Sequence, residues 1–95
     1  MKHLAASRHF QKQLKNLSPH DREKAVGALK SFLVELRKGR IAAGYGFKKI
    51  NGDKYEFRVD LKIRIAMKLD GDTLVCHLIG NHEAIRRFLK DYRNK

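Results

Sequence analysis

One cysteine, one proline and no long apolar run are the first features of this chain. The single Cys76 excludes an internal disulfide. It lies in the apolar stretch "TLVCHLIG", where a buried structural thiol is expected, and this usage suits a reducing cytoplasm. No segment approaches the roughly 18 apolar residues of a membrane-spanning helix, and the opening "MKHLAASRHFQKQLK" has no apolar core of signal-peptide length. A soluble, cytoplasmic protein is therefore expected. The scarcity of proline, beside 42% hydrophobic and 34% charged residues, fits a compact globular chain rather than a disordered one.

Negative charge is scarce as well. Ten Asp and Glu stand against 22 Lys and Arg, a net charge of +12 on 95 residues. A chain of this length makes one domain, spanning 1–95, with a single small core that can bury roughly 60 to 65% of its surface. The basic residues run through every segment rather than forming a tail, so a folded surface carries the field. Such an excess favours a polyanion as partner, either nucleic acid or an acidic protein.

The order of elements follows from periodicity. In "SRHFQKQLKNL", Phe10, Leu14 and Leu17 recur at i, i+4 and i+7, the pattern of a short amphipathic helix. A second helix follows in "SPHDREKAVGALKSFLVELRKG", with Ser18 as N-cap, Pro19 at the first helical position and Asp21 at the positive end of the dipole. Its expected seam is Val26, Leu29, Leu33 and Leu36, and Gly39 is its stop. "RIAAGYG" reads as a Gly-rich connection.

From Phe47 the period becomes that of strands, punctuated by Asn51-Gly52 and Asp70-Gly71, both suited to tight hairpin turns. The odd positions from Tyr55 to Leu69 are apolar and most even ones charged, so one face is expected to be core and the other polar. Fifteen residues is long for one strand, and a break is expected near Asp60 to Lys62. "DTLVCHLIG" reads as a well-covered strand, apolar on both faces, in which His77 is a hydrogen-bonded structural residue. "NHEAIRRFLKDYRNK" closes the chain as an amphipathic helix with Ile85, Phe88, Leu89 and Tyr92 on its apolar stripe. The expected class is α+β: an N-terminal helical hairpin on a three- to four-stranded antiparallel sheet, with a C-terminal helix, all helices on one sheet face.

With that order in place, "GFKKINGDKYEFRVDLKIRIAMKLDGDTLVCHLIGNHEAIRRFLK" resembles the RelE/ParE superfamily of bacterial toxins. The likeness rests on the helical hairpin ending near "LRKG", the "KKI" and "YEFRV" strands, the Arg within "KIRIAMKL", and an apolar strand ending in a small residue and His. It implies a toxin held inactive by a co-encoded antitoxin. The RelE-like branch cleaves mRNA, typically on the ribosome, and the ParE-like branch poisons DNA gyrase without enzymatic activity. The fold hosts both, and a basic nucleic-acid-binding module without toxicity is a third reading. The RelE-like branch is favoured here.

RNA cleavage of this type needs a base for the 2′-OH proton, cations for the phosphorane-like transition state and an acid for the leaving 5′ oxygen. By resemblance, Arg58 matches the basic position of the "YEFRV" strand, Arg64 the strand arginine that stabilises the transition state, and His82 a cleft residue suited to proton transfer. Both arginines fall on the polar sheet face, where adjacent strands bring them within reach of one phosphate. Lys48, Lys49, Lys62, Arg86 and Arg87 are candidate phosphate contacts. Glu56 stands where RelE-like nucleases can carry Lys. "HEAIR" approaches the zinc signature H-E-x-x-H, but Arg86 replaces the second His and a cation there repels zinc, so neither a metal site nor a cofactor is expected.

Overall fold

The computed structural model describes residues 1–39 and 46–93, apart from the side chains of 89 and 91–93. Within "RIAAGYG", residues 40–45 therefore lie outside the described residues, as do the side chains of Leu89 and Tyr92. The elements run β1 (His3–Ala6), α1 (Arg8–Asn16), α2 (Pro19–Arg37), β2 (Phe47–Asn51), β3 (Lys54–Arg58), β4 (Arg64–Asp70), β5 (Thr73–Gly80) and α3 (His82–Arg93). The strands form one five-stranded sheet in the order β1-β5-β4-β3-β2. Among the described residues, no helix is long and apolar enough to cross a membrane.

The α+β class and the antiparallel run β2 to β5 match the expectation, but the sheet is mixed, because β1 joins β5 in parallel. This strand was not expected. Its four residues show no alternation, and only Leu4 is even half-buried. Long-range hydrogen bonds hold it instead: Lys2 N donates to Asp72 O at 2.8 Å and Ser7 N to Cys76 O at 3.0 Å. Where β1 stops, Gln13 of α1 takes over, its Oε1 accepting from Ile79 N at 2.9 Å, so the interior strand β5 leaves no donor orphaned there.

Each helix begins at a capping side chain. Ser7 Oγ accepts from Phe10 N, Ser18 Oγ from Asp21 N and Asn81 Oδ1 from Ala84 N. At the other end of α1, the Arg22 guanidinium reaches back from α2 to the carbonyls of Leu14, Lys15 and Leu17, and so locks the helical hairpin. The seam of α2 is rotated from the expected one. Ala25, Phe32 and Leu36 are buried, with Leu29 and Leu33 partly so, because Phe32 fits an aromatic cluster with Phe57 at 4.7 Å and Phe47 at 5.0 Å between ring centroids. A single apolar residue one position off the drawn seam carries that rotation.

The break in the long odd-position run is an Asp-built turn. Asp60 Oδ1 accepts from Ile63 N at 2.7 Å and Lys62 N at 2.8 Å, while Lys24 Nζ reaches Oδ2 at 3.0 Å. These bonds, first that from Ile63, hold the Asp60 carboxyl below its usual range. β3 and β4 thus become paired strands, with Tyr55 opposite Met67 and Phe57 opposite Ile65. Leu61, read from its odd position as core, is 85% exposed at the tip of this turn. The two other hairpin loops are Gly52-Asp53 and Gly71-Asp72, with φ of +50° and +64° at the glycines, as required when Gly leads a two-residue turn.

The helices occupy both sheet faces, which corrects the one-face expectation. α1 and α2 cover Tyr55, Phe57, Ile65, Met67, Leu74, Cys76 and Ile79. On the opposite face Ile85 and Phe88 of α3 meet Ala66, Leu78 and Ile50. The switch in β5 occurs at a bulge: Met67 pairs with Cys76 and Ala66 with Leu78, leaving His77 as the extra residue. Cys76 is buried as expected, and burial pushes its thiol up to about 12. Desolvation, aided by the charge of Lys68, lowers the His77 pKa, and its ring lies 6.2 Å from that of Phe88.

Two outcomes follow. Phe32→Ala should cost about 3 to 5 kcal/mol in urea denaturation, whereas Val34→Ala, on the half-exposed flank of α2, should stay within about 0.5 kcal/mol. The His77 pKa is lowered in the fold by desolvation and by Lys68, so the unfolded chain takes up its proton more readily. Its contribution is complete above about pH 6.5 and is lost as pH falls below that value. The melting temperature should drop between about pH 7.5 and about pH 5.5, and His77→Gln should reduce the drop.

Candidate active site

On the face opposite the helical hairpin, α3 lies over β4 and β5 and leaves a groove of about 620 Å³ beside β2 and β3. The sheet contributes Lys48, Ile50 and Glu56, and the helix contributes His82, Glu83, Arg86, Arg87 and Lys90. The helical residues follow from spacing: 82, 86 and 90 stand at i, i+4 and i+8, with 83 and 87 beside them, so one face of α3 meets the groove. His82 is exposed at the first position of the helix, set by the Asn81 cap. Gly80 makes this placement possible, since a Cβ there would meet the Ala84 Cβ at 3.2 Å.

At the floor lies Glu56, 3% exposed and the one buried charged residue among the described residues. It stands opposite Lys48 on one side and Ala66 on the other. Its Oε1 accepts from Nη1 of Arg64, whose side chain is 19% exposed. Arg64 Nε is buried without a partner among the described residues. A carboxylate so placed requires a paired cation, because an isolated buried charge is strongly destabilising.

The sequence-derived candidates separate in space. His82, Arg86, Arg87 and Lys48 come together around the groove. Arg58 and Arg64 are direct cross-strand partners, as expected, but neither lines it. Arg64 turns to Glu56, while Arg58 borders a second hollow of about 540 Å³ beside Ala28 and Ser31 of α2. Lys49 pairs with Tyr55, which belongs to the core under α2, so Lys49 lies on the opposite face from Lys48. Lys62 belongs to the Asp60 turn beside Asp21 and Lys24. Four groove residues, Ile50, Glu56, Glu83 and Lys90, were not among the sequence-derived candidates. Lys90 was legible from its i+4 spacing to Arg86. Glu56 carried one signal, an acid between Lys54 and Arg58 at the even positions of β3, but its burial depends on α3.

Four cations thus surround an imidazole, the exposed carboxylate of Glu83 and the buried one of Glu56, whose charge Arg64 neutralises. Such a groove attracts a polyanion and offers groups for proton transfer.

No family model matches the chain, and no curated protein matches it. Solved structures do. YafQ from E. coli strain BL21(DE3) is 19% identical over 90% of this chain and 98% of its own, with a TM-score of 0.64. A chain of the RelB–RelE antitoxin–toxin complex from Methanococcus jannaschii is 20% identical over 88% and 96%, with a TM-score of 0.65. A metal-bound toxin from Helicobacter pylori is 18% identical over 90% and 99%, with a TM-score of 0.63. The chain has the fold that these toxins share, over nearly its whole length.

Proposed function

We propose that this chain is the toxin of a toxin–antitoxin pair, a metal-independent endoribonuclease that cleaves mRNA on the ribosome and so inhibits translation. The carrying observation is the groove, where His82 and Glu56 sit among Lys48, Arg86, Arg87 and Lys90. The cations hold the RNA backbone, and the imidazole serves the leaving oxygen. Arg64 bears on the groove through its pair with Glu56 on the floor, whereas Arg58 borders the separate hollow beside α2. The expected partner is an antitoxin that covers the basic surface. The likeness to chains of the RelB–RelE and DinJ–YafQ toxin–antitoxin complexes supports that expectation.

Expression from an inducible promoter tests the reading. Arrest of growth should be accompanied by mapped mRNA cleavage and loss of translation, and His82→Gln should slow cleavage about 10²- to 10⁴-fold. Intact transcripts with continuing translation would sink it, and gyrase-dependent DNA breaks in their place would favour a non-enzymatic gyrase inhibitor. Binding of single-stranded RNA should weaken with salt at a log–log slope of about −3, as for four contacted phosphates, and Arg86→Ala should lower that slope by about 0.7.

A further inference from the structure

Resting on the endoribonuclease reading, we propose that Glu83 reads a base beside the cleaved phosphate and selects guanine. The groove measures about 620 Å³, within the roughly 300 to 1,000 Å³ of sites for small organic ligands, so it has room for a nucleotide as well as a phosphate. Cleavage accounts for most of its lining. Lys48, Arg86, Arg87 and Lys90 meet phosphate oxygens, His82 moves a proton, and Arg64 neutralises Glu56. Two lining residues are left over, Ile50 of β2 and Glu83 of α3. Neither suits a phosphate, since one has no donor and the other repels it. Both suit a nucleobase, whose ring face rests on apolar groups and whose edge carries donors for a carboxylate.

Glu83 is available to those donors. It is exposed and forms no ion pair with a described residue, although Arg86 and Arg87 stand three and four positions on, the spacing at which helices pair opposite charges. Its backbone is set by the Asn81 cap, whose Oδ1 accepts from Ala84 N at 2.8 Å. Ile50 is half-buried against the cluster of Ala66 and Ile85, and so presents a fixed apolar wall.

The choice of base follows from the donor pattern. On its Watson–Crick edge guanine presents N1–H and N2–H side by side, and both can be donated to the two oxygens of one carboxylate. Adenine and cytosine offer one amino donor beside an acceptor ring nitrogen, and uracil offers one N–H between two carbonyl oxygens. Each of these sets a lone pair against the carboxylate, which loses a hydrogen bond and adds a repulsion. A matched bidentate pair discriminates against the wrong base by roughly 5- to 150-fold.

The test uses the full chain, freed of any antitoxin, on ribosomes programmed with mRNAs that share one mapped cleavage site. The nucleotide on each side of that site is varied in turn through the four bases and inosine, which lacks the N2 amino group. At one of the two positions, the parent should cleave the guanine message at least about 10-fold faster than the adenine message, with inosine in between. Glu83→Gln carries an amide that accepts from adenine N6 and donates to adenine N1. Its ratio of guanine to adenine cleavage should fall at least about 10-fold, making adenine the equal or better substrate. A role for Glu83 at the helix dipole alone acts through stability and leaves that ratio where it was.

A parent that cleaves all messages within about threefold of one another, or prefers another base, overturns the assignment and leaves the endoribonuclease reading standing. So does a Glu83→Gln chain that keeps the guanine preference of the parent, whether or not it is slower. A parent that cleaves no message removes the endoribonuclease reading and this inference together.

Discussion

The bulged pair of strands β4 and β5 must be covered on both faces, and the rest of the molecule is arranged to do so. Ile65, Met67, Leu74 and Cys76 look toward the helical hairpin, while Ala66 and Leu78 look the other way. Nineteen residues of α2 and nine of α1 suffice for the first face. The second has only α3, which covers the middle of the sheet and leaves the β2–β3 side open. The groove exists because one helix cannot cover five strands, and its depth follows from where that helix crosses.

Charge then determines what the groove can be. Its helical wall carries Arg86, Arg87 and Lys90, and its floor carries an acid tied to Arg64. A buried ion pair is weak as a source of stability, because desolvation of both groups offsets most of their attraction. Losing one member is costly, however, and that asymmetry holds the geometry in place. The cations farther from the floor have no such tether among the described residues, and they remain free to follow a flexible polyanion.

Much of this was legible in the residues. Ser18, Pro19 and Gly39 bound the long helix, and the paired glycine turns mark the hairpins. Asp60 breaks a strand that would otherwise be too long, and Cys76 sits inside an apolar run. For the site, His82, Arg86 and Arg87 follow from a strand ending at Gly80 and a helix beginning at Asn81. What escaped was non-local. β1 is held by backbone bonds to a strand some seventy residues away, which leave no side-chain pattern. The rotation of α2 depends on Phe32 meeting Phe47 and Phe57, and neither ring is its neighbour in sequence.

The sequence by itself determined the class of fold, the basic character and the imidazole at the strand-to-helix corner, because capping, turn chemistry, period and net charge are local or additive properties. Only the tertiary structure decided that α3 lies opposite the hairpin, that Lys48 and Lys49 part to different faces, and that Arg64 is committed to Glu56. These depend on register and on which surfaces remain uncovered once both cores are filled. A one-residue difference along a strand changes the face, and an acid expected on the polar sheet face becomes the buried floor of the groove.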